Sequence, residues 1–405
     1  MHRAISGKKY PMAVDTIDEQ DISDLIEWLQ TNPRLTQGDL VEEFQQEWAD
    51  WLGVKHAVFV NSGSSANLLM YYTLLASRAL VNRKVVVPAV SWATTVAPAI
   101  QFGFEPIMCD AEPKTFGLDP NRLEDILKRD EPDAVILVHV LGVPCDMEAI
   151  MSLKEKYGFY LMEDACAATG SKYDGQYVGT FGHLSSFSFF FGHHLSTIEG
   201  GMVCTNDSRL KAILRQLRSH GWAKDLSQDE EDWQAREYRV DGFNRPFTFY
   251  YPGFNLRSTD LNARIGLSQM KKADEVIARR IENHKVYQEH LTPDAGFMLQ
   301  QNDRAEIASI ACVALAQSPE HRARVTDQLT RRGVETRPLG GGNMSRQPFW
   351  RKEFPEQNFP VADRIAATAF QLPTHPAHSV EDIGTICDMI ADVKTDAKAD
   401  GLSAA

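Results

Sequence analysis

The sequence lacks the features of a disulfide-stapled or metal-knuckle protein. Its 405 residues include six cysteines, Cys109, Cys145, Cys166, Cys204, Cys312 and Cys387, and the nearest two stand 21 positions apart. No CxxC or CxC pair exists, so spacing offers neither a zinc site nor an iron–sulfur motif. Basic charge is also short: 42 Lys and Arg face 55 Asp and Glu, a net of −13. That balance argues against nucleic acid or an anionic membrane as the main partner. The longest apolar stretch, Val85–Ile100, is broken by Pro88 and Pro98 and is too short to span a bilayer. Met1 to Asp18 has no apolar core of the secretory kind. What remains is an ordinary globular composition, 43% hydrophobic and 24% charged, on a chain long enough for two domains. These features predict a cytoplasmic protein with reduced thiols, acting on a small molecule or paired with its own copy.

Short apolar runs alternate with amphipathic segments over the first two-thirds of the chain. Val54–Val60, Lys84–Val87, Ala134–Val140 and Tyr160–Glu163 read as buried strands, and Ser64–Ala76, Asn121–Arg129 and Asp146–Tyr157 as helices. Such alternation predicts an α/β fold with a mostly parallel sheet, whose chemistry sits on the loops that follow strands. The charged, aromatic stretch Ala223–Phe249 interrupts the pattern and reads as a solvated insertion. A long helical pattern from Leu261 to about His290 leads to a second block. There Ala308–Ala314, the segment around Val334–Arg337 and a closing helix, Val380–Val393, suggest a smaller α+β domain. The expected division is a large cofactor-binding domain over 1–270, a small domain over 271–393 and a flexible tail over 394–405.

Three segments could carry chemistry. In Val60-Asn61-Ser62-Gly63-Ser64-Ser65-Ala66-Asn67 a strand runs through a Gly/Ser turn into a helix, which makes either an anion cradle or a plain serine cap. Tyr160–Asp164 ends a strand in two acids, which could cap a helix, bind a metal or pair with a protonated ring nitrogen. No companion cluster supports the metal. Ser186–Gly201 holds adjacent histidines, His193 and His194, between a phenylalanine run and a Gly-Gly turn. They are either hydrogen-bonded core residues or functional ones; a metal pair is disfavoured, because neighbours on a strand point to opposite faces.

Together these segments resemble the DegT/DnrJ sugar aminotransferases, a family of fold-type I pyridoxal phosphate enzymes. The resemblance runs from about Asp15 to the closing helix. It includes Leu35-Thr36-Gln37-Gly38, Pro88-Ala89-Val90-Ser91-Trp92-Ala93-Thr94-Thr95, Glu163-Asp164-Ala165, Phe187-Ser188-Phe189, Glu199-Gly200-Gly201, Gly253–Leu261 and Glu335-Thr336-Arg337-Pro338. It implies that Gly63, Ser64, Ser65 and Ser188 hold the cofactor phosphate, that Trp92 stacks on its ring, and that Asp164 pairs with the ring nitrogen. It also implies a homodimer with shared active sites, in which Asn255 serves the neighbouring subunit. Where many relatives carry histidine or glutamine, this chain has Ala167.

One departure matters most. The family's lysine, four positions after Phe-Ser-Phe and six before Glu-Gly-Gly, is here His193. Imidazole cannot form the covalent imine that a lysine amine makes with the cofactor, so pyridoxal or pyridoxamine phosphate should bind noncovalently. With an ordinary pKa of ~6.5 against ~10.4 for lysine, it suits proton transfer near neutrality. That change is similar to the 3-dehydratase branch of the family. The branch implies a pyridoxamine-dependent loss of the C3 hydroxyl from a nucleotide-linked 4-keto-6-deoxyhexose, with L-glutamate as amino donor. Arg337 would bind a carboxylate or form a domain-interface salt bridge, and His220 would touch cofactor or sugar or serve structure. The competing readings are an iron–sulfur-assisted dehydratase, an ordinary sugar aminotransferase and a non-catalytic cofactor binder.

Overall fold

The computed structural model describes residues 7–399. Met1–Ser6 of the N-terminal stretch and positions 400–405 of the expected tail lie outside the described residues. Fourteen strands follow one another: β1 (His56–Val60), β2 (Lys84–Pro88), β3 (Glu105–Cys109), β4 (Ala134–Val138), β5 (Tyr160–Asp164), β6 (Lys172–Tyr173), β7 (Gln176–Tyr177), β8 (Leu184–Ser188), β9 (Gly201–Thr205), β10 (Phe297–Leu299), β11 (Ala305–Glu306), β12 (Ala311–Ala316), β13 (Arg337–Pro338) and β14 (Ala369–Pro373). Seven of them form the main sheet in the order β1-β9-β8-β5-β4-β2-β3.

The pairs along β8-β5-β4-β2-β3 are parallel, whereas β9 runs antiparallel to both β1 and β8. The sheet is thus parallel but for one reversed strand. β4, β8 and β9 are buried along their whole length, as strands covered on both faces must be. A second sheet, β10-β12-β14-β13, is antiparallel throughout; the helix Pro319–Arg331 packs on it, and Ile383, Ile386 and Ile390 of the helix Val380–Ala399 share its apolar cluster. One apolar cluster joins the sheets: Val313 and Leu315 of β12 belong to it together with Val87, Ile136 and Met162 of the main sheet.

Three expectations need correction. The long helical pattern after Asp260 is two helices, Asp260–Met270 and Ala273–His290. They part where Lys272 turns its N–H to Gln269 and its ammonium to Asp18 and Asp21. The insertion is not a bare solvated excursion: it holds a helix, Gln228–Glu237, started by a Ser227/Glu230 capping box, with three acids in its first turn. The closing helix passes Val393 and runs to Ala399. Among the described residues no helix is long and apolar enough to cross a membrane.

Candidate active site

Strand alternation explains the phenylalanine run. Phe187 and Phe189 turn to one side of β8 and pack edge-on against Trp48, with ring centroids 5.1 and 4.8 Å away. Ser186 and Ser188 therefore face the other side, toward the end of the sheet where β1, β2 and β5 also terminate. Four strand ends converge there, and the candidate residues follow them.

The Gly/Ser turn after β1 opens the helix Gly63–Ser77. Ser62 is its cap: its hydroxyl accepts from the Ser65 N–H at 3.1 Å. The capped amide is thereby used, and the first-turn N–H groups of Gly63 and Ser64 remain for a ligand. Ser64 Oγ lies 3.2 Å from Thr94 Oγ1. Thr94 sits in the first turn of a second helix, Ala93–Gln101, whose start carries no side-chain cap. Two positive helix ends and three hydroxyls, those of Ser64, Thr94 and Ser188, thus border one spot beside the serine cap, an arrangement that suits an anion. Gly63 is dictated by space, because a Cβ there would stand 2.6 Å from that of Ser188 and 3.0 Å from Cys166 Sγ. We expect Gly63→Ala to weaken cofactor binding at least tenfold while leaving the main sheet folded, as followed by absorbance titration with pyridoxal phosphate.

The two acids closing β5 separate. Glu163 is fully buried and accepts from the N–H groups of Gly179 and Phe181, both at 2.8 Å, and of Gly182, with His139 Nε2 at 3.2 Å. It holds a turn. Asp164 faces the serines: Oδ2 accepts from Asn67 Nδ2 at 2.8 Å and Thr95 Oγ1 at 2.7 Å, and Oδ1 from the Cys166 N–H at 3.1 Å. Ser186 Oγ in turn donates to Asn67 Oδ1 at 2.6 Å. Every contact to Asp164 is a donor, so the carboxylate is oriented as an acceptor and Oδ1 keeps a lone pair for a further N–H.

His193 lies half-buried on the loop from β8 to β9. Its N–H donates to the Phe190 carbonyl at 2.9 Å, its own carbonyl accepts from Arg280, and its Nδ1 is buried without a hydrogen-bond partner. Burial, helped by the Arg280 cation and opposed by the Asp164 carboxylate and the Cys166 carbonyl, pushes its pKa down to about 4. The imidazole is therefore uncharged at neutral pH, as a base must be. His194 points elsewhere and is fully buried, with Nε2 2.6 Å from the Ala308 carbonyl. Its burial gives it a structural part: we expect His194→Ala to destabilise the fold by about 1–3 kcal/mol, read as a lowered melting temperature.

Trp92 is 61% exposed and is not a core residue; an edge of its ring lies 3.3 Å from the place a Cβ would take at Gly340. Asn255 is exposed, bonded to Arg257 Nε at 3.0 Å, on a segment that runs beside the end of β1, where the Asn61 N–H meets the Leu256 carbonyl. His220 holds a left-handed backbone (φ 61°), donates its N–H to the Phe254 carbonyl and places its ring 5.0 Å from that of Trp222. Arg337 is half-exposed and forked onto Glu335 Oε1 at 2.9 and 2.7 Å, two residues away on its own segment. Of its two expected roles, the salt bridge is therefore made within its own segment and not across a domain interface. The structure adds residues that sequence reasoning left without a role. Asn67 ends the Gly/Ser segment, Thr94 and Thr95 end the Trp92 motif, and Ser186 is two before Ser188; only Arg280 carries no such cue. Among the described residues no three His, Cys, Asp or Glu side chains group as a metal site.

Comparison with known proteins places this arrangement. GDP-4-keto-6-deoxy-D-mannose 3-dehydratase of Yersinia pseudotuberculosis is 32% identical over 338 residues, which cover 82% of this chain and 85% of that protein. The Escherichia coli enzyme of that name, solved with bound hydrated PLP, superposes with a TM-score of 0.86 at 26% identity, covering 95% of this chain and 99% of the other. A structure of GDP-4-keto-6-deoxymannose-3-dehydratase with a trapped PLP-glutamate geminal diamine gives 0.85 at 27% identity, over 94% and 100%. The profile of the DegT/DnrJ/EryC1/StrS aminotransferase family matches residues 15–391, and the chain belongs to that family.

Proposed function

We propose that this protein is a pyridoxamine-phosphate-dependent 3-dehydratase of a nucleotide-linked 4-keto-6-deoxyhexose, with GDP-4-keto-6-deoxy-D-mannose as the favoured substrate. The observation that carries the reading is His193 at the family's lysine position, uncharged and with a free ring nitrogen. The remaining residues fit the cofactor. The cradle at Gly63, Ser64 and Ser188 suits its phosphate, with Ser65, whose amide is taken by Ser62, able to add only its hydroxyl; the open face of Trp92 suits its ring, and the spare lone pair of Asp164 its ring N–H. Without a lysine it is held noncovalently.

When bound as the amine, the cofactor supplies the nitrogen that joins the sugar at C4 and a ring that takes up electrons. His193 accepts a proton from the cofactor carbon C4′ and, now charged, gives it to the departing C3 hydroxyl. Protonating so poor a leaving group contributes ~10²–10⁴-fold. Asp164, fixed by Asn67 and Thr95, keeps the ring nitrogen protonated. Overall, the C3 hydroxyl would be exchanged for hydrogen to give the 4-keto-3,6-dideoxy sugar, with L-glutamate as the amino donor and 2-oxoglutarate and ammonia as by-products. Arg337 offers a fork for a carboxylate once Glu335 yields, and His220 a contact to cofactor or sugar. The working unit in this reading is a cytoplasmic homodimer in which Asn255 reaches the partner's site.

The family description favours transamination as the alternative, yet releasing an amine product by exchange needs a nucleophilic amine at position 193. An iron–sulfur variant would need ligands near Cys204, and the next cysteine, Cys312, lies on the other sheet. The test is mass analysis after incubation with glutamate, the cofactor and a panel of 4-keto-6-deoxy nucleotide sugars. A product lighter by one oxygen is expected; an amino sugar would overturn the proposal.

A further inference from the structure

Two adjacent arginines on the helix Ala273–His290 have opposite fates. Arg279 is exposed and pairs with Glu282. Arg280 is fully buried, and among the described residues no carboxylate pairs with it. Its Nη1 donates to the carbonyls of Ser309 and Ile310, each at 3.3 Å, and its Nη2 to that of His193 at 3.4 Å; Nε is buried without a partner. Carbonyl dipoles compensate a buried cation poorly, so its place here is costly. We infer that Arg280 is a positioning residue for His193, bracing the main chain of the histidine loop and presenting a positive charge to the imidazole.

The assignment rests on the proposed use of His193 as the proton carrier. The groups that act on that ring are Arg280, the Asp164 carboxylate and the Cys166 carbonyl, and beside it His194 also feels Arg280 and His375. Arg280 repels the imidazolium whereas Asp164 attracts it, and the balance sets how readily the ring takes a proton and gives it up.

The test is titration of ¹³C-labelled histidines by NMR in the cofactor-loaded protein, with His193→Asn to assign the signal. Arg280→Gln is expected to raise the His193 midpoint by about one pH unit, and Arg280→Lys, which keeps the charge, to hold it near the native value. In Arg280→Gln the acid limb of the dehydration profile should move up in step. An unmoved midpoint in Arg280→Gln, or an equal rise in both variants, overturns the assignment. If the glutamine variant fails to fold, Arg280→Met takes its place and must give the same rise. Should both uncharged variants misfold, a rise of one unit in Arg280→Lys overturns it and a native midpoint sustains it. A native protein that makes no deoxy ketosugar, while Arg280→Gln shows the predicted rise and Arg280→Lys does not, supports the role of Arg280 and sinks the proposed reaction.

Discussion

Replacing His193 with lysine should give the protein a covalent hold on its cofactor and cost it the dehydration. The side chain leaves a loop whose main chain is pinned at both faces, by Phe190 and by Arg280, so a new amine is presented from the same point. Burial and the nearby guanidinium, which drag the imidazole down to about 4, act on any cation there and would keep a larger share of the amine uncharged and nucleophilic. Borohydride should then fix the ring to the variant and not to the native protein, as an increase in polypeptide mass. Loss of the imidazole as proton carrier should lower dehydration by roughly 10²–10⁴-fold. Unchanged dehydration in the variant would remove His193 from the chemistry.

Removing the carboxylate of Asp164 should cost both fold and turnover. Asp164→Ala leaves Asn67 Nδ2, Thr95 Oγ1 and the Cys166 N–H without their acceptor in a buried place, and Ser186 loses the restraint passed through Asn67. Each stranded donor costs about 1–3 kcal/mol, so a large drop in melting temperature is expected. Asp164→Asn keeps the volume and should fold better. Because the amide cannot stabilise a protonated ring nitrogen as an anion does, turnover should still fall by roughly 10²–10³-fold. Glu163 is the control. Glu163→Gln should lower stability through the turn at Gly179–Gly182 and leave the rate of the surviving folded protein close to native. A catalytic loss equal to that of Asp164→Asn would show that the two acids have been assigned wrongly.

Acid should unfold the protein early. Burial pushes His193 and His284 down to about 4, and also His183, where Lys154 adds to the effect. In the unfolded chain each titrates at ~6.5, so between these values the unfolded state binds more protons and stability falls as pH falls. Above ~6.5 this contribution is flat. The melting temperature should therefore be level near neutrality and drop from pH 6 toward 4, and His284→Asn should flatten that slope.

The sequence makes most of the main sheet legible, because buried strands and amphipathic helices have different periods and the strand ends carry Gly, Ser and Asp. It does not reveal the direction of β9: Met202–Cys204 is as apolar as a parallel strand, and the return follows from a connection over 189–200 that holds no helix to make a parallel crossover. Nor does it divide Leu261–His290, where two lysines are tolerated in any helix and the break depends on Asp18 and Asp21, far away in sequence. The site is legible where a residue belongs to a motif. Asn67 and Thr95 matter through what they do to Asp164, which spacing cannot express, and Arg279-Arg280 looks like one solvated charge pair until the helix is packed.

The loop that bears His193 spans two neighbouring antiparallel strands, and its rungs from Phe189 to Gly200 and from Thr197 to Phe189 close it independently of what its tip carries. Chemistry at the tip can therefore be exchanged like a tool in a chuck. Trading amine for imidazole at that point is one residue replacement, and the rungs that hold the loop do not depend on it.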